Sequence, residues 1–405
     1  MNQKTLSKFR CRANESGDVL LSFYLATEIF KKAQDGMPLC IRIWRKETPG
    51  FVFNRDYEEY FDGILIEGTK VIFEGSLPAI NQRKFEYLDQ TADTGCTYAY
   101  WVSIDEHPVG PVVLKVRDRE VWWPYEVLKK RLFKLAEQYP DVVDVQNYMH
   151  TTQKRPIPGI QVGNQKRRIA FIGAIHAGES GPELIVPILE KLVMNHQKEL
   201  SQVGVVAIPS VNIDERERQV QGTPWYLRTN SNRVDLNRNF PAEWETVGYE
   251  YGLISSDPDA MTYRGPFPAS EDETRAVMQF MEQVQPLGVF SFHCLASICS
   301  PVFLTSKFAK EDILFAEKCR ALLEPYTNGF YGTAKEVALK YASSAGSLSH
   351  WLYESTNTPC FDLEWDGDEK TKGCITDLTT PEMLNVCMEG HYRGVVNVLK
   401  SLAAS

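Results

Sequence analysis

Arg168-Ile169-Ala170-Phe171-Ile172-Gly173-Ala174-Ile175-His176-Ala177-Gly178-Glu179 is the stretch on which the reading of this chain turns. After the leading arginine it is a nearly continuous apolar run, as expected of a strand covered on both faces. It ends on an imidazole and a carboxylate three residues apart. Behind them, Pro182 to Met194 carries apolar residues at helical spacing. A two-sided strand, a turn with chemistry on it and an amphipathic helix are the opening of an α/β layer structure.

Working outward, the same alternation recurs. Further buried-type strands are expected at Val203–Ile208, Leu287–Phe292 and Cys360–Glu364, with helices at Tyr125–Ala136, Glu271–Val284, Lys310–Leu323, Gly346–Glu354 and Pro381–Leu402. This predicts an α/β domain over 116–405, with a mixed, largely parallel sheet and helices on both faces. Before residue 115 the pattern differs. Short runs such as Val19–Leu25 and Thr97–Val102 lie between turn-rich stretches, and helical periodicity is scarce. Residues 1–115 therefore read as a small N-terminal β-sandwich.

The chain has 405 residues, 43% of them hydrophobic and 24% charged, which is ordinary for a globular protein with a large core. Its net charge of −9 speaks against nucleic-acid or anionic-membrane partners, which need a basic face. No apolar core follows the first basic residues as in a secretory signal, and no run is long enough to span a bilayer. The nine cysteines are scattered, without a CxxC pair. Reduced thiols and a cytoplasmic location are the expectation, or a secreted protein if a leader has been removed.

Ligands of an open α/β sheet gather at the carboxyl ends of its strands. His176 and Glu179 stand at one such end and His293 at another, after Leu287–Phe292. Two histidines and a glutamate that leave one position for water form a catalytic zinc set. HxxE alone is common, and a histidine after an apolar strand is more often a core residue, so the weight rests on the three together. Glu364 closes the Cys360–Glu364 strand, where a carboxylate belongs only if it faces a cleft or solvent. Next to a metal-bound water it would act as general base, with Asp362 and Asp366 as competitors. In Asp235-Leu236-Asn237-Arg238-Asn239, Asn237 and Arg238 offer adjacent donors suited to a carboxylate, and Arg228 lies just upstream. Arg216, Arg218 and Arg233 nearby favour the plain alternative of a solvated basic loop.

Taken together, these pieces resemble the zinc carboxypeptidases, or funnelins, over roughly residues 120–400. The resemblance is carried by Tyr139-Pro140-Asp141, the HxxE at His176, the Asp-Leu-Asn-Arg-Asn-Phe-Pro run from Asp235, Tyr263-Arg264-Gly265-Pro266, Ser291-Phe292-His293 and the Glu364 strand, in that order. It implies a Zn2+ cofactor on His176, Glu179 and His293, and a peptide substrate with a free C-terminal carboxylate. Asn237 and Arg238 would clamp that carboxylate, Arg228 would polarise the scissile carbonyl, and Tyr341 would close over the substrate. Leu348 would line an apolar specificity pocket, whereas Asp362 or Asp366 would suit a basic side chain.

Three stretches depart from the family's pattern. Cys294-Leu295 follows the third ligand in place of Ser-Tyr. Gly346-Ser347-Leu348-Ser349-His350-Trp351 is one residue longer than the usual stretch and lacks its Asp. Asn212-Ile213-Asp214-Glu215 replaces Asn-Pro-Asp-Gly. The expected activity is hydrolysis of a C-terminal peptide or isopeptide bond. Two alternatives are an N-acyl amino-acid deacylase of the aspartoacylase or succinylglutamate desuccinylase kind, and a non-catalytic peptide-binding module.

Overall fold

The computed structural model describes residues 5–48, 66–77, 82–105, 107–179, 181–222, 227–249, 253–293, 301–331, 339–365 and 380–405. The expectations placed on Cys294, Leu295 and Asp366, and on the side chain of Glu364, lie outside what it describes.

The described chain divides into two compact units. One is built from residues up to Arg119 and a return segment starting at Arg218, the other from Glu120–Glu217 and Leu227–Ser405. In the first unit every strand alternates or lacks helical periodicity, and the strands pair antiparallel in two sheets. One sheet holds β1 (Leu6–Ala13), β2 (Val19–Leu25) and β5 (Lys84–Asp89), with β2 central. The other runs in the order β4 (Lys70–Leu77), β3 (Leu39–Thr48), β6 (Thr97–Ile104), β7 (His107–Lys115). Leu21 and Phe23 from one sheet, and Ile41, Ile43, Tyr100 and Val102 from the other, share one buried core. The return segment is tied in by backbone bonds, Ala13 N–H to Gln221 O at 3.0 Å and Lys115 N–H to Gly222 O at 3.1 Å.

The second unit is an eight-stranded mixed sheet with helices. Its strands are β8 (Val143–His150), β9 (Pro156–Val162), β10 (Arg168–Gly173), β11 (Gly204–Ile208), β14 (Val289–Phe292), β15 (Pro301–Thr305), β16 (Leu339–Tyr341) and β17 (Cys360–Trp365), and β12 (Gly248–Tyr249) and β13 (Leu253–Ile254) pair separately. The sheet order is β16-β15-β17-β14-β10-β11-β9-β8. The central run β17-β14-β10-β11 is parallel throughout, and antiparallel joins appear at β15–β17, β11–β9 and β9–β8. The parallel centre is where the sequence is most continuously apolar, because both of its faces are covered. Helices α2 (Tyr125–Gln138), α3 (Pro182–Asn195), α6 (Asp272–Val284), α7 (Ile313–Tyr331), α8 (Leu348–Thr356) and α9 (Pro381–Ala404) pack in this unit. Two short helices complete the set, α4 (Gln197–Gln202) and the start of α5 (Ile213–Val220), whose residues from Arg218 fall in the first unit, as does α1 (Thr27–Gln34).

The expected helix at Lys310–Leu323 is displaced. A 3-10 turn occupies Lys307–Glu311, and α7 begins only at Ile313. Among the described residues no helix is long and apolar enough to cross a membrane. Cys11, Cys40, Cys96, Cys319, Cys360 and Cys387 are free thiols.

Candidate metal centre

Parallel pairing of β10 with β14 brings the ends of both strands side by side, with Gly173 opposite Phe292. His176 and His293, each just past its strand, are delivered to the same place. The chain leaves β10 through Ala174 at φ 44, a left-handed conformation that costs an alanine about 1–2 kcal/mol. The turn then packs so closely that a Cβ on Gly181 would lie 2.5 Å from Pro209 O.

His176, Glu179 and His293 are all buried, and their candidate ligand atoms lie within 4.8 Å of one another. His176 Nδ1 is 3.0 Å from Glu179 Oε1, and His293 Nδ1 is 3.1 Å from Glu179 Oε2. Both imidazoles thus turn Nδ1 inward, and each holds its outer nitrogen against a carboxylate. His176 Nε2 is 3.0 Å from Asp235 Oδ1, and His293 Nε2 lies 3.4 Å from Asp362 Oδ1 and 3.1 Å from Ser291 Oγ. A carboxylate behind a histidine fixes ring orientation and raises basicity, as at metal centres generally.

The electrostatics point the same way. Burial alone would raise the Glu179 carboxyl, but the imidazoles of His176 and His293 hold it well below the usual range. Burial would lower His293, yet Asp362 and Glu179 keep it well above its ordinary value. The pocket therefore favours positive charge at the point the two Nδ1 atoms face. Two imidazole nitrogens and a carboxylate oxygen in such a field fit zinc in both donor type and charge.

Asp235 ties this centre to the loop that follows. Its Oδ1 also accepts the Asn237 N–H at 3.0 Å, and its Oδ2 accepts Arg228 Nε at 2.7 Å. Burial opposes ionisation of Asp235, and Arg228, His176 and Arg238 together overcome it, so the carboxyl sits far below its usual value. The Asp235 side chain caps the short 3-10 turn Leu236–Arg238 that carries both proposed clamp residues. Asn237 Oδ1 accepts the Leu348 N–H at 2.9 Å, which fixes the amide with Nδ2 as donor. Arg238 is anchored by Nη1 to Asn237 O at 2.9 Å and by Nε to Leu253 O at 3.3 Å. Gly346 passes directly over this turn at φ +73, where a Cβ would meet Arg238 O at 2.1 Å.

The structure thus brings His176, Glu179 and His293 together and links Arg228, Asn237 and Arg238 to them through Asp235. Glu364 stands opposite Val302 in the β15–β17 ladder, two residues beyond Asp362. One expectation needs correction. Leu348 does not line an open pocket: it begins α8 fully buried in the core with Phe240, Trp351 and Leu352. Asp362 does face inward, where its Oδ1 lies 3.4 Å from His293 Nε2 and its Oδ2 accepts Ser349 Oγ at 3.2 Å. Tyr341 ends β16, where burial raises its hydroxyl, with Cys319 and Asp312 adding to this and Arg320 opposing.

The chain is similar to proteins of known type. A family profile described as zinc carboxypeptidase matches residues 128–381, more than half of the chain. Human carboxypeptidase O is 26% identical over 274 residues, covering 61% of this chain and 71% of its own. Murein peptide amidase A of Escherichia coli is 46% identical over 71 residues, covering 16% of this chain and 29% of its own. The chain thus spans less than a third of that amidase. Bovine thrombin-activatable fibrinolysis inhibitor, solved with a tick carboxypeptidase inhibitor, superposes with a TM-score of 0.57 at 20% identity, covering 70% of this chain and 98% of that one.

Proposed function

The chain belongs to the zinc carboxypeptidase family of metallopeptidase hydrolases, and on that footing we propose that it hydrolyses the C-terminal peptide or isopeptide bond of a peptide with a free carboxylate. The observation that carries this reading is the convergence of His176 Nδ1, His293 Nδ1 and the Glu179 carboxylate within 4.8 Å. Zinc held there would supply a water of lowered pKa and a Lewis acid for the scissile carbonyl.

The chain's own residues do the rest. Glu364 takes the proton of the attacking water and returns it to the leaving amine. Arg228, oriented by Asp235, donates to the oxygen that gains charge in the transition state. Asn237 Nδ2 and the Arg238 guanidinium hold the terminal carboxylate, a charge-assisted and directional contact. Closure of Tyr341 over the substrate belongs to the same proposal. The N-terminal unit, read as a domain over 1–115, carries no residue of this scheme.

The test is turnover of a peptide with a free C-terminus against its C-terminal amide, by the zinc-loaded protein and by Arg238→Ala. The free acid is expected to be cleaved with a much higher kcat/KM, and Arg238→Ala to remove that preference through KM while zinc stays bound. Equal cleavage of both peptides would overturn the carboxylate clamp. Amidase action on a murein peptide is a second reading, favoured by the 46% local identity to murein peptide amidase A. A murein peptide included in the same assay separates the two.

A further inference from the structure

At Asn212-Ile213-Asp214-Glu215, where the family's pattern has Asn-Pro-Asp-Gly, the chain forms α5. The next residue, Arg216, is buried, and its guanidinium reaches back under the ligand-bearing turn. Nη1 donates to Ala177 O at 3.1 Å and to Glu179 O at 2.6 Å. Nη2 donates to the buried Glu183 carboxylate at 2.5 Å, and the Trp122 ring lies 4.4 Å from the guanidinium carbon. Glu183 is held in turn by the Trp123 N–H at 2.8 Å. Elsewhere in the turn, the Glu179 N–H goes to His176 O and the Gly178 N–H to Leu227 O.

We propose that Arg216 is a positioning residue for the zinc site, its guanidinium setting the backbone of the His176–Glu179 turn so that Glu179 meets both imidazoles. The inference rests on the zinc reading given above. It follows from what a planar fork can do. One guanidinium spans two carbonyls on one nitrogen and a carboxylate on the other, while its face stacks on an indole. A lysine offers a single point charge and cannot bridge both carbonyls and the carboxylate in one geometry. The Glu183 carboxylate locks the fork, and Trp123 locks Glu183. Zinc-binding geometry is thus set from the backbone side by residues that touch neither metal nor substrate.

The test compares wild type, Arg216→Lys and Glu183→Gln for zinc affinity, measured by competition with a chelator well below the melting temperature. A core variant, Phe280→Leu, chosen for a similar fall in metal-free Tm, serves as control. Zinc Kd is expected to rise about 10–100-fold in Arg216→Lys and less in Glu183→Gln, the range typical of lost outer-sphere support, and to stay at the wild-type value in Phe280→Leu. Should Arg216→Lys fail to fold, Glu183→Gln still reports the lock on the fork. Wild-type zinc affinity in either folded variant, or an equal rise in the Phe280→Leu control, overturns the positioning role and leaves the zinc site standing. A wild-type protein that binds no zinc overturns both readings.

Discussion

Replacing Asp235 with asparagine keeps the shape of the side chain and changes only what its two terminal atoms offer. In the native site Oδ1 accepts from His176 Nε2 and the Asn237 N–H, both at 3.0 Å, and Oδ2 accepts Arg228 Nε at 2.7 Å. An amide has one oxygen, so one of these two sides must meet an N–H donor where it now meets an acceptor. If the amide nitrogen faces Arg228, a charge-assisted bond worth about 1.5–3 kcal/mol goes. Removing one partner of a buried ion pair costs about 3–5 kcal/mol in general. The two ranges meet near about 3 kcal/mol, the expected loss of stability in the metal-free protein. In either orientation His176 no longer leans on a carboxylate, so zinc affinity is expected to fall about 10–100-fold. Urea unfolding of the metal-free variant reads the first quantity and chelator competition the second. A loss of stability with wild-type zinc affinity would reduce Asp235 to a brace for Arg228 and refute its coupling to the metal. No change in either would refute the whole account of the hub.

Two other expectations concern separate parts of the chain. Glu364→Gln should keep its zinc while kcat falls at least about 10²-fold, the lower range for loss of a general base; unchanged turnover, measured with zinc content verified, would take the role from Glu364. In the N-terminal unit, burial alone would raise the Asp89 carboxyl, but hydrogen bonds from Thr91 and the Arg45 guanidinium hold it below its ordinary value. The contribution of Asp89 to stability is therefore fully present above about pH 4 and is lost as pH falls further. Asp89→Asn should lower the urea midpoint at neutral pH and flatten the acid-side decline, and an undiminished decline would count against this.

The parallel centre of the sheet was legible because burial on both faces writes itself as continuous apolar sequence, as in Ile169–Ile172 and Val205–Ile208. The edges were not. In β8, with Gln146 and Asn147 among its residues, one side faces water and the pattern resembles a loop. The three-residue β16 is too short to carry a period. The candidate ligand set stood out because histidine and glutamate at strand ends are chemically conspicuous. Asp235 is less conspicuous although it precedes the donors assigned to substrate, since nothing in sequence says that an aspartate will be fully buried. Its one available signal was its place just before a short turn, where a side-chain oxygen caps backbone N–H groups. Leu348 misled for the opposite reason: its neighbours suggested a pocket, but it opens α8 and packs inward with Trp351.

Arg216 shows the same limit more sharply. In sequence it lies near Arg218 and Arg233, in a stretch that reads as a solvated basic loop, and the ordinary expectation for such arginines is exposure. What decides its fate is α5, which turns Arg216 toward Glu183 and the turn carbonyls while Arg233 stays at the surface, paired with Asp259 at 2.7 Å. The His176–Glu179 turn is consequently held from two directions by different chemistry. Arg216 grips its main chain from one side, and Asp235 orients the imidazole from the other. An HxxE held on neither side would leave two rotatable side chains to find one geometry, and the entropy of doing so would oppose binding of the ion. On the proposed reading, the difference between a chance HxxE and a metal centre lies in residues outside the motif, here Arg216, Glu183, Asp235 and Asp362, each buried and each engaged with a neighbouring group.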